Sequence, residues 1–173
     1  MRLGILMILM ICLGCGKRYY PMGGQNIERE VHLMYVDTRF NEVEREGIRL
    51  AIKDWEEALN GVIRLTVVDW DFDMEVEKIV RKGEGDWLIL KLREEDEMSG
   101  DRRVLGFVNK VGGDTMWVVG ERAKGRIREV IRHEIGHLLG VMHPEMELED
   151  GCLGWETMEE IRKRGYGGMR YCD

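Results

Sequence analysis

The sequence predicts an α+β fold, a single domain in which strands and helices occupy separately patterned stretches. Three observations carry this. Residues Glu30–Asp37 alternate polar and apolar side chains, the two-residue period of a strand. From residue 41 to about residue 59, Val43, Gly47, Leu50, Ala51, Trp55 and Leu59 recur at helical spacing. Residues 124–139 repeat that spacing, with Ile127, Val130, Ile131, Ile135 and Leu138 forming an apolar stripe suited to packing on a sheet. A chain of 173 residues is most simply one domain, long enough to bury a real core.

In chain order, residues 1–14 stand outside this fold. Arg2 precedes an apolar run, residues 3–13, too short to span a bilayer but of the length found in secretory signals. The Cys12-Leu13-Gly14-Cys15 ending resembles a bacterial lipoprotein signal. That resemblance implies cleavage before Cys15, a lipid on that cysteine and attachment to the outer side of a membrane; an ordinary signal peptide followed by secretion is the alternative. Residues 15–27 read as a linker, broken by Pro21 and Gly23-Gly24, ahead of a domain spanning 28–173. Export leaves Cys152 and Cys172 as a pair in an oxidising compartment. A bridge between them would contribute about 3 kcal/mol by closing a loop in the unfolded chain; two free thiols are the alternative.

The strand at residues 30–37 carries His32, read as a surface or edge residue and not a ligand. Asn41 and Glu44 have the spacing of a capping box, and Asn60-Gly61 ends the helix they begin. Residues 62–71 are rich in branched side chains and predict a second strand. The acidic run Asp69, Asp71, Asp73, Glu75 and Glu77 follows no calcium-loop spacing, so a solvated loop is favoured over a calcium site. Residues 86–92 predict a buried third strand, residues 104–108 and 114–119 two more joined around Gly112-Gly113, and residues 157–164 a last short helix. The net charge of −7 and the lack of a basic stripe exclude a nucleic-acid partner.

The chemistry concentrates in His133-Glu134-Ile135-Gly136-His137-Leu138-Leu139-Gly140-Val141-Met142-His143. On a helix, His133 and His137 leave one face a turn apart, within reach of a single zinc ion at roughly 2.0–2.1 Å. Gly140 falls where the helix must stop, and glycine accepts the left-handed conformation that a sharp reversal needs. The reversal returns His143 as a third ligand, and three protein ligands with a fourth position open is the catalytic arrangement. Glu134, beside the first ligand, is then the general base for a water. An amphipathic core helix with incidental histidines explains the string poorly, because three of the chain's four histidines fall inside it.

These residues match the H-E-x-x-H-x-x-G-x-x-H signature of the metzincin zinc peptidases, and residues 28–168 are loosely similar to the matrixin type. The resemblance implies a twisted, mainly parallel sheet with an antiparallel edge strand, two long helices and a short C-terminal helix. It implies one catalytic Zn2+ and hydrolysis of peptide bonds in extracytoplasmic proteins or peptides. The edge strand, Leu105, Gly106, Phe107 and Val108, becomes the upper rim of a groove that takes an extended peptide as an added strand. A monomer is expected. In vertebrate matrixins, histidines near this strand hold a structural zinc; here Gly106 and Met116 stand in that region, so none is expected, and structural calcium loses support for the same reason. The methionine that metzincins place beneath the metal has awkward candidates: Met146 comes early and Met158 falls in the last helix, so Cys152-Leu153 is a third option. Two other readings stand beside the peptidase: a zinc-binding envelope lipoprotein that binds or inhibits without hydrolysis, and attack on a non-peptide amide or ester.

Overall fold

The computed structural model describes residues 18–19, 30–71, 86–93, 104–142, 153–163 and 170–171. The elements run β1 (Arg18–Tyr19), β2 (Glu30–Asp37), α1 (Glu42–Ala58), β3 (Ile63–Trp70), β4 (Trp87–Leu92), β5 (Gly106–Val108), β6 (Thr115–Val119), α2 (Ile127–Leu138), α3 (Trp155–Lys163) and β7 (Arg170–Tyr171). The fold is mixed α/β. Five strands form one sheet in the order β3-β2-β4-β6-β5. Its first four strands pair in parallel, and β5 closes one edge antiparallel to β6, with Phe107 opposite Trp117. Inside the stretch read as a linker, β1 pairs antiparallel with β7, so this part of the segment is tied to the far end of the domain.

Helix α1 starts as its sequence dictates. The Asn41 side chain accepts from the Glu44 N–H at 3.0 Å, and a Glu44 carboxylate oxygen accepts from the Asn41 N–H at 2.7 Å. The helix buries Ala51, Trp55 and Leu59 of its expected stripe and is rotated away from the rest. Ile48, Ala51, Ile52, Trp55 and Ala58 face the core, whereas Val43 is 83% exposed and Leu50 lies at the surface. The reason is Glu44: it occupies the inward side of the first turn, where its carboxylate meets the Lys91 ammonium at 2.6 Å. That ion pair continues into the buried Asp37, whose carboxylate accepts from the Arg39 guanidinium and the Lys91 N–H. The network joins the ends of β2 and β4 to the start of α1.

Helix α2 lies beside α1 beneath the sheet. Asp54 accepts two hydrogen bonds from Arg128, at 2.7 and 2.8 Å, and the Trp55 indole N–H donates to the Arg132 carbonyl at 2.9 Å. The brace thus reaches the residue before His133. Helix α2 begins at Ile127, three residues later than expected, because Gly125 takes a left-handed φ of 78° that interrupts the helix. All five residues of its predicted stripe are buried. His32 is half-buried on an inner strand and so does not lie at the sheet edge; its ring stacks on Trp87 at 5.6 Å between centroids. Among the described residues, no helix is long and apolar enough to cross a membrane.

Candidate metal centre

The C-terminal half of α2 carries His133 and His137, four residues apart on the outward side. Their rings meet edge to face with centroids 4.7 Å apart, and the two Nε2 atoms stand 3.1 Å from each other. Two nitrogens bound to one tetrahedral zinc at roughly 2.0–2.1 Å would stand about 3.3–3.4 Å apart. The observed separation is close to that value, so the pair fits a shared ion with little adjustment.

The tautomer of His137 is fixed by the turn that follows it. Gly140 adopts φ 92° and donates its N–H to the His137 carbonyl at 2.9 Å, while the Val141 N–H reaches the Gly136 carbonyl at 2.9 Å. This is the Schellman pattern of a helix C-terminus. The same reversal brings the Val141 carbonyl to 2.8 Å from His137 Nδ1. A carbonyl only accepts, so Nδ1 carries the proton and Nε2 presents its lone pair, the state a metal ligand needs. Gly112, in the β5–β6 connection, donates its N–H to the His137 carbonyl at 2.7 Å and ties that hairpin to the end of the helix. Beyond the reversal, the Met142 N–H donates to Glu160 of α3 at 3.1 Å.

Glu134 lies a third of a turn round from the histidines and points under the sheet edge. It is 4% exposed, and its Oε2 has no hydrogen-bond partner among the described residues. Burial pushes its carboxyl up to about 7, since the charged form loses hydration without a compensating donor. Glu134 thus places a buried carboxylate oxygen without a hydrogen-bond partner on the helix that presents the two imidazoles.

The described chain therefore brings His133 and His137 together, and sets Gly106 of the predicted rim against Glu134. His143, Cys15, Cys152, Cys172, Met146 and residues 1–14 lie outside the described residues. Among the described residues, no group of three or more metal-ligating side chains gathers. Met158 is buried in α3 and Leu153 is buried just ahead of it. Asp69 pairs with Arg45 at the surface, and most of the acidic run after it lies outside the described residues. Sequence reasoning missed the Val141 carbonyl and the Gly112 N–H because both are backbone groups, which no residue type announces. The chain matches no protein-family model and no curated protein.

Proposed function

We propose that this chain is a zinc-dependent endopeptidase of the metzincin, matrixin-like kind, exported and tethered through Cys15. The observation that carries the reading is the convergence of the His133 and His137 Nε2 atoms at 3.1 Å on one helix, which also carries the buried, unpartnered oxygen of Glu134. His133, His137 and His143 would hold the ion. When bound, Zn2+ supplies Lewis acidity that acidifies a water and polarises the scissile carbonyl.

The remaining steps belong to the chain. Glu134 takes the proton of the attacking water and delivers it to the leaving amine, which removes the need for a covalent intermediate. On either side of β5, the Leu105 carbonyl and the Asn109 N–H are both bonded to β6. Antiparallel alternation then turns the N–H and C=O groups of Gly106 and Val108 towards the open edge. An extended substrate pairs there as an added strand, with Phe107, stacked on Trp117 at 5.2 Å, stiffening the rim.

The test is Glu134→Gln on the purified protein against a mixed peptide library, with and without chelator. The variant is expected to keep stoichiometric zinc and lose cleavage by at least about a hundredfold, as expected for removing a general base. Equal cleavage by the variant refutes the mechanism. Zinc binding with no cleavage by either protein favours the non-hydrolytic lipoprotein.

A further inference from the structure

We propose that Gly106 is a positioning residue for the general base: the missing side chain at this point of the edge strand forms the slot in which the Glu134 carboxylate lies. The inference rests on the peptidase reading and deepens it, since the rim of the groove and the base become one construction. A Cβ built on Gly106 would stand 2.8 Å from Val130 Cγ1, 3.1 Å from Glu134 Oε1 and 3.1 Å from the Trp117 carbonyl oxygen. The first distance is closer than carbon atoms approach, and the other two leave no slack. Val130 belongs to the rigid face of α2, and the Trp117 oxygen belongs to the neighbouring strand, so neither withdraws cheaply. The one neighbour free to swing is the carboxylate.

Glycine at this position has a second effect. It allows β5 to close over α2 far enough to leave Glu134 only 4% exposed. The same strand is anchored at its other end by the Gly112 N–H on the His137 carbonyl. The hairpin therefore touches α2 at the base and at a proposed ligand, and a peptide pairing along its open edge is referenced to both. Any side chain at 106 changes the base's place relative to the substrate while the imidazoles stay where they are.

The experiment compares wild type, Gly106→Ala, Val130→Ala and the double variant, each in the full exported chain. The readouts are kcat and KM on a cleaved peptide, zinc affinity by chelator competition, and the melting temperature of the metal-free protein. Gly106→Ala is expected to lower kcat about tenfold, a displacement effect of well under an ångström. KM and zinc affinity are expected to stay within about threefold of wild type, because neither the edge groups nor the imidazoles are removed. Val130→Ala removes the 2.8 Å contact, so the double variant recovers stability relative to Gly106→Ala but keeps the lowered kcat. An unchanged kcat in Gly106→Ala overturns the inference and leaves the peptidase reading intact. So does recovery of kcat in the double variant, which would assign the whole effect to strand packing. A wild type that binds zinc and cleaves nothing overturns the peptidase reading, and the inference falls with it.

Discussion

The carboxyl of Glu134 governs how the metal-free protein responds to pH. Its ordinary value of 4.5 is raised to about 7 in the fold, so between these values the native state holds a proton that the unfolded chain has lost. Stability must then fall as pH rises from about 4.5 through about 7, and the penalty is complete above that range. Glu134→Gln removes the ionisation. After chelator treatment, the variant is expected to gain up to about 3 kcal/mol on wild type at pH 8 and nothing near pH 4. Urea melts at the two pH values check this, and a difference that does not depend on pH would mean that the group is not buried as described. Gly140→Ala tests the neighbouring turn. A left-handed alanine costs about 1–2 kcal/mol, and loss of the Val141 carbonyl from His137 Nδ1 should weaken zinc binding about tenfold or more. A variant that loses stability but keeps its zinc affinity would show that the carbonyl does not tune the ligand.

At the scale of elements, α1 separates what its sequence discloses from what it conceals. Its boundaries were readable, because capping-box and Asn-Gly signals are local and the structure bears both out. Its buried face was readable only in part: Ala51, Trp55 and Leu59 of the expected stripe are buried, while Val43 and Leu50 are exposed. Val43, Gly47 and Leu50 satisfy helical spacing with Ala51, Trp55 and Leu59 as well as Ile48, Ile52 and Ala58 do, and two overlapping stripes leave the rotation undecided. What decides it is the long-range contact of Glu44 with Lys91 on β4, which no local window contains. The site divides the same way. The spacing of His133 and His137 is a property of one helix and was legible; the slot at Gly106 depends on how closely a strand approaches that helix and was not. Paired substitutions test the rotation: Val43→Ser should change stability by less than about 0.5 kcal/mol, while Ile48→Ala should cost about 2–5 kcal/mol. Equal losses at the two positions, read from denaturant midpoints, would contradict the observed face.

For the whole molecule, the candidate centre couples parts of the chain that are far apart in sequence. The Gly112 N–H comes from the β5–β6 connection, the Trp55 indole from α1 and the Glu160 carboxylate from α3, and all three hold the last turns of α2 or the reversal after it. An unfolded chain offers the same imidazoles without that convergence, so zinc should bind the native state far more tightly. Ligand at a hundred times its dissociation constant then adds about 2.7 kcal/mol of stability. For a domain of this size, that corresponds to a rise in melting temperature of roughly 5–10 °C. The rise should vanish on adding chelator, vanish in His137→Ala and survive in Glu134→Gln, which keeps every proposed ligand. Magnesium at the same concentration should give no shift, because imidazoles suit zinc and leave the harder ion in water. The decisive comparison is His143→Ala. If three imidazoles hold the ion, this variant loses most of the zinc-induced rise although its metal-free melting temperature is unchanged. A full rise in that variant would reduce the centre to the two helical histidines and remove the geometry on which the hydrolytic reading depends.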